Sequence, residues 1–238
     1  MAKRFKNRTD AGRQLAAKLE PLRGQDVIVL ALPRGGLPVG FEIAHALHAP
    51  LDILNVRKLG VPWHEELAMG AIATGGVRVL NNDIIMATGV TSVSLEEVTA
   101  LQRLELDRRE RLYRSGRPAP ELRGRTVVLV DDGVATGATA RAAITVVRAQ
   151  QPKRLVLAVP VAQASIIEEL AREVDELTCL LTPGDLYAIG VWYEDFPQLT
   201  DENVRTIMAL AAAEPAAVPH HFARSAEALD GREKPPVM

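Results

Sequence analysis

The run Thr126-Val127-Val128-Leu129-Val130 stops abruptly at two adjacent carboxylates, Asp131 and Asp132. A loop carrying Gly133, Gly137, Thr136 and Thr139 follows, and then a helix-forming segment, Ala140 to Gln150. A short, uninterrupted apolar run bounded by turn residues fits a strand buried on both faces. A strand that feeds a loop and then a helix is the unit from which parallel α/β sheets are built. The loop then lies at a helix N-terminus, where unpaired backbone N–H groups and the helix dipole favour a phosphate. The two glycines permit close backbone approach, and the two threonines add hydroxyl donors. The carboxylates would repel a phosphate, so they call for hydroxyls or a metal ion beside it. A ligand that combines phosphate, hydroxyls and Mg2+ meets all three demands, and a sugar phosphate fits.

The same alternation extends along the chain. Thr9 or Asp10 caps a short helix to about Leu19, and Val27 to Leu32 is a continuous apolar strand. Pro33-Arg34-Gly35-Gly36 follows it, then a helix from Pro38, well placed at a helix start, to about Leu47. Asp52 to Val56 reads as a second strand, and 59–69, with Gly60, Pro62, Trp63, His64 and two acids, reads as a flexible loop. Gly70–Ala73 and Val77–Leu80 form a hairpin around Thr74-Gly75-Gly76. Ser94 and Glu97 make a capping box for a charged helix to about Tyr113, whose dense opposite charges mark a solvated face. Strand Arg154–Val161, helix Gln163–Val174, strand Leu177–Leu181 and a helix from Thr200 to Ala213 complete the pattern. The expected fold is α/β: a doubly wound, mostly parallel sheet with helices on both faces. Its ligand crevice lies at the carboxyl ends of the strands. Residues 94–114 are a helical insertion, and 214–238, rich in Pro, Ala and charge, is expected to be a disordered tail.

Composition excludes several classes of function. Of 238 residues, 28 are basic and 30 acidic, a formal charge of −2, which gives no sign of a nucleic-acid partner. No segment approaches the ~18 apolar residues of a membrane span, and the basic N-terminus lacks the hydrophobic region of a secretory signal. A cytoplasmic protein is expected. Cys179, the only cysteine, lies in an apolar run and reads as a core residue. No His/Cys spacing points to zinc.

The segment VVLVDDGVATGAT, residues 127–139, resembles the signature of the type I phosphoribosyltransferases, which bind 5-phosphoribosyl-1-pyrophosphate (PRPP). The resemblance covers roughly residues 5–212 and implies a single domain over 1–213, its core at about 27–181. Segments 1–20 and 183–213 would form a small hood. It further implies Mg2+-dependent transfer of the phosphoribosyl group from PRPP to a nitrogenous acceptor, with release of pyrophosphate. Asp131 and Asp132 would hold the ribose hydroxyls and touch the metal only indirectly, through those hydroxyls or water. Ala135, Thr136, Gly137, Ala138 and Thr139 would cradle the 5-phosphate. Arg34, Gly35 and Gly36 would hold the pyrophosphate. Lys58 and Arg57, at the mouth of a mobile loop, would neutralise the leaving group. Tyr187, Trp192, Tyr193 and Phe196 gather four of the nine aromatic residues within ten positions. Tyr187 and Trp192 would stack on an acceptor base, and Phe5 to Arg8 would complete the hood. Ala135 stands where 6-oxopurine enzymes often carry a third acid, which weakens that particular assignment. The partners implied are small molecules and a second copy of the chain. The competing readings are a non-catalytic sensor of PRPP or a nucleotide on the same fold, acids that merely cap a helix, and a receiver domain. The last normally carries its acids after the first strand.

Overall fold

A computed structural model describes residues 4–114 and 116–213, apart from the side chain of Glu66. The expected tail, 214–238, and the first three residues of the expected hood lie outside the described residues. Strands β1 (Val27–Ala31), β2 (Leu51–Ile53), β6 (Thr126–Val130), β7 (Arg154–Val161) and β8 (Glu176–Leu181) form a five-stranded parallel sheet in the order β2-β1-β6-β7-β8. Every residue of β1 and β6 is buried, as their unbroken apolar runs require. Successive side chains of these strands point to opposite faces. Val27, Val29, Val128, Val130 and Val156 pack against helices α1 (Arg8–Leu19) and α2 (Gly36–Leu47). Ile28, Leu30, Val127, Leu129 and Leu157 pack against α5 (Ala138–Ala149) on the other face. Each such side chain contributes about 1.5–3 kcal/mol on burial.

The region after β2 differs from the expectation of a longer strand followed by a loop. The chain leaves the main sheet at Leu54-Asn55 and enters a second, antiparallel sheet of β3 (Val56–Val61), β4 (His64–Ala73) and β5 (Val77–Leu80). Arg57 and Lys58 therefore sit within a strand, and 59–69 is a hairpin with Pro62-Trp63 at its turn. Leu59, Val61 and Met69 point inward, which supplies the burial a loop would lack. The hairpin of β4 and β5 agrees with expectation. A short helix, α3 (Asn82–Thr88), was not expected; the Asn81 side chain caps it and Gly89 ends it at φ 66°. Helix α4 (Ser92–Arg114) starts earlier than Ser94, because the Thr91 hydroxyl accepts from the Ser94 N–H at 3.1 Å and serves as the cap. Helix α6 (Ala164–Leu170) stops short of Val174, and α7 (Asp201–Ala213) ends where the sequence pattern places it. The charges of α4 do more than meet solvent: Arg108 bridges Glu105 and Asp201, tying α4 to α7.

A polar network fastens the second sheet to the first. Arg114, 3% exposed, pairs with Asp52 at 3.0 Å and donates to the carbonyls of Ile53 and Pro118 at 2.9 Å each. Glu110 accepts from Thr74 at 2.6 Å and from Asn55 at 3.0 Å. Cys179 lies on β8 with its thiol donating to the Leu181 carbonyl, and burial pushes its pKa up to about 11, as fits a core residue. Among the described residues no helix is long and apolar enough to cross a membrane. Removing one partner of a buried ion pair strands the other. Arg114→Met should therefore lower the unfolding free energy by about 3–5 kcal/mol in urea titration; a loss under about 1 kcal/mol, typical of a surface pair, would contradict this role.

Candidate active site

The two central strands, β1 and β6, run parallel in register, with Ala31 opposite Val130. Their carboxyl ends deliver two loops to one place: Pro33–Gly36 after β1 and Asp131–Thr139 after β6. The contact between them is tighter than any side chain would allow. A Cβ on Gly35 would stand 2.1 Å from Asp132 Oδ2, and one on Gly36 would stand 2.6 Å from the Val130 carbonyl oxygen. Bare backbone at both positions lets the Arg34 loop lie directly on the acid pair. The Pro33-Arg34 peptide bond is cis. Arg34 is half-buried, and its charge is felt on the flank by Asp201 and Tyr113.

Asp131 and Asp132 share a tight turn, with the Asp132 N–H donating to Asp131 Oδ1 at 2.8 Å. Burial, and then the neighbouring Asp132 carboxylate, pushes the Asp131 carboxyl well above the ordinary range. Asp132 is held from three directions. Arg8 donates through Nε to Oδ2 at 2.7 Å, Gly35 walls the same oxygen, and the Tyr193 hydroxyl donates to the Asp132 carbonyl at 2.6 Å. Burial and then the Asp132 charge raise the pKa of Tyr193, which keeps its hydroxyl a donor.

Beyond the acids the loop turns into α5. Gly137, at φ 77°, stands at the helix N-cap. Among the described residues, the backbone N–H groups of Ala135 to Ala140 have no hydrogen-bond acceptor; the ladder begins with the Arg141 N–H on the Gly137 carbonyl at 2.9 Å. A cluster of unspent donors at the positive end of a helix dipole is an anion site in waiting. Thr136 and Thr139 are exposed beside it.

The second sheet brings Lys58 to this loop. Lys58, Arg57, Glu65 and Thr139 line one cavity of about 480 Å3, together with Gln102 of α4. Arg57 is tied to Gln102, donating through Nε at 2.7 Å, and burial followed by Arg109 lowers its pKa. A larger cavity of about 780 Å3 abuts the same loop at Thr136 and Ala138, walled by Asn81, Asp83 and Arg141.

The aromatic cluster divides. Tyr187 is 95% exposed, and Trp192 is half-buried with its backbone carbonyl accepting from the Phe5 N–H at 2.9 Å. Tyr193 and Phe196 instead reach the acid pair, one through its hydroxyl and the other beneath the Arg8 guanidinium at 3.6 Å. Phe5 stacks at a tilt on Tyr193, with centroids 5.4 Å apart. The N-terminal and 189–197 segments thus meet beside Asp132. Arg8 is the residue to which sequence reasoning gave least weight. The expected Thr9 or Asp10 cap left it outside the first helix; the Asn7 side chain is the cap, accepting from the Asp10 N–H at 2.9 Å, and Arg8 is the first residue of α1, where the helix dipole disfavours a cation unless an acid compensates.

Among the described residues, no three metal-ligating side chains come together. The Asp131 and Asp132 carboxylates are of the donor type that suits Mg2+, an ion commonly bound through one or two carboxylates together with phosphate oxygens.

The family described as "Phosphoribosyl transferase domain" matches residues 3–182. Rv0571c of Mycobacterium tuberculosis (strain H37Rv), whose name assigns it provisionally to the phosphoribosyl transferases, is 46% identical over 235 residues, covering 99% of this chain and 51% of its own length. MT0597 of the CDC 1551 strain gives the same values. The chain spans about half the length of the curated relatives it matches. It is also similar to the crystal structure of TT1426 from Thermus thermophilus, with a TM-score of 0.81 and 43% identity over 86% of this chain and 97% of that one. By the family match and these identities, this chain belongs to the phosphoribosyl transferase domain family.

Proposed function

We propose that the chain is a phosphoribosyltransferase that moves the 5-phosphoribosyl group from PRPP to a nitrogenous acceptor and releases pyrophosphate. The observation that carries this reading is the acid pair standing between the unpaired N–H groups of residues 135–140 and the loop Pro33–Gly36. A ribose carrying phosphate at one end and pyrophosphate at the other has the same order of groups. In this reading, Asp131 and Asp132 accept hydrogen bonds from the ribose hydroxyls, the N–H groups of residues 135–140 bind the 5-phosphate, and Arg34 with the Gly35 N–H binds the pyrophosphate, the Gly36 N–H being spent on the Leu32 carbonyl at 3.0 Å. Mg2+, when bound, would screen the pyrophosphate charge. The chemistry is displacement at C1 of the ribose. The bond to the pyrophosphate oxygen breaks through an oxocarbenium-like centre, the acceptor nitrogen forms the new bond, and the acceptor gives up a proton. The protein's contribution is position and charge, from groups fixed before the reaction. Lys58, which lines the same cavity as Thr139, would neutralise charge growing on the departing pyrophosphate. The terminal segments 5–8 and 189–197 would form the hood that meets the acceptor, and a cytoplasmic homodimer is the assembly we expect.

The carboxylates are tested by binding. Asp131→Asn and Asp132→Asn should fold yet lose one charge-assisted hydrogen bond each, about 1.5–3 kcal/mol, or roughly 10- to 150-fold in the Kd for Mg2+-PRPP. Wild-type affinity in both variants would make the acids structural caps.

Turnover separates an enzyme from a sensor of PRPP. Bases and amines screened with Mg2+-PRPP should include an acceptor that supports pyrophosphate release. With that acceptor, Lys58→Ala should lower kcat by about a hundredfold and PRPP affinity far less, because its contact forms mainly as the leaving group departs. Trp63→Ala, at the exposed turn, should leave kcat within about twofold. Binding of PRPP with no productive acceptor would favour the sensor.

A further inference from the structure

Arg8 belongs to neither anion-binding loop, yet its guanidinium is committed on three sides at the tip of β6. Nε donates to Asp132 Oδ2 at 2.7 Å, Nη1 donates to the Pro197 carbonyl at 2.8 Å, and the guanidinium lies 3.6 Å over the Phe196 ring. The residue is 8% exposed. Arginine is almost never buried unless paired, and here one face stacks on an aromatic while the edge forks onto two oxygens from distant parts of the chain.

The position answers an electrostatic difficulty. Two adjacent carboxylates suit ribose hydroxyls but oppose the phosphates on either side of the ribose. A cation fixed on one carboxylate cancels one of the two charges without occupying either phosphate loop. Because Oδ2 of Asp132 is spent on Arg8, a ligand hydroxyl reaches Asp132 through Oδ1, unless it displaces Arg8. Displacement would strand a buried guanidinium and break its contacts to Pro197 and Phe196, so the arginine stays.

We propose that Arg8 is a positioning residue of the sugar-phosphate site, acting through Asp132: it fixes the carboxylate's orientation and offsets its charge, and so makes the acid pair compatible with a polyanionic ligand. This rests on the PRPP reading above. It also gives residues 5–8 and 196–197 a part in binding the donor substrate, in addition to any contact with the acceptor.

A double-mutant cycle on Mg2+-PRPP binding, measured by titration calorimetry on the full chain, tests the proposal. Arg8→Gln should weaken binding on the order of tenfold or more. The same change made in an Asp132→Asn background should cost less than about twofold further, the margin within which independent effects add. Arg8→Lys, which keeps the charge but not the fork, should bind more tightly than Arg8→Gln. Should Arg8→Gln fail to fold, Arg8→Lys carries the same cycle in both backgrounds. Equal losses in the wild-type and Asp132→Asn backgrounds would mean that Arg8 acts on the anion directly, and would overturn the proposal. Wild-type affinity in Arg8→Gln, or Arg8→Lys no better than Arg8→Gln, would overturn it as well. If the wild-type protein itself fails to bind Mg2+-PRPP, the sugar-phosphate reading falls and this inference falls with it.

Discussion

The contact between Gly35 and the Asp132 carboxylate, with no room for a Cβ at 2.1 Å, fixes how everything around it is arranged. It exists because β1 and β6 are neighbours in register at the middle of a parallel sheet, so the loops leaving them must cross. Glycine at 35 and 36 converts that crossing from a clash into a surface made of backbone and two carboxylates. The helices on either side follow from the same pairing. Side chains of one parity reach α1 and α2, and those of the other reach α5, which brings the N-termini of α2 and α5 to the same edge of the sheet.

The remaining parts are brought in by polar contacts over long sequence distances. The second sheet is moored by Arg114 to Asp52 and by Glu110 to Asn55 and Thr74, and its strand β3 brings Lys58 to the cavity that Thr139 also lines. Arg8 and Tyr193 hold Asp132 from the side where the terminal segments meet. The acid pair is thus confined by glycine backbone on one flank and by an ion pair on another. Such confinement fixes the orientation of the carboxylates before any ligand arrives.

Much of the main sheet was legible because its strands are unbroken apolar runs. Thr126–Val130 and Arg154–Val161 have the same bounds in the sequence pattern and in the structure. The second sheet was not legible for a physical reason. A bulge at Gly60 shifts the register of β3 against β4 and interrupts the alternation that would identify them, while Pro62 reads as a loop breaker although it sits in the turn. Helix α3 carried recognisable signs in Asn81 and Gly89, but over its seven residues only the adjacent Ile84 and Ile85 pack, half-buried, against the core, too few to make an apolar period. At the site, the acid pair and the glycine loops announced themselves through local spacing. The Arg8 pairing could not do so, because its partner is 124 positions away and only tertiary structure joins them.

The claim on which the account turns is that the unspent N–H groups at the start of α5 exist to bind the phosphate of a ligand that also engages the acid pair. Amide hydrogen exchange of the full chain, with and without Mg2+-PRPP, addresses those groups directly. Added protection is expected over 133–141 and 33–37, with little change in β7 and α1. Protection confined to Asn81 and Asp83, on the wall of the larger cavity away from this loop, or none at residues 135–140 at saturating ligand, would contradict it.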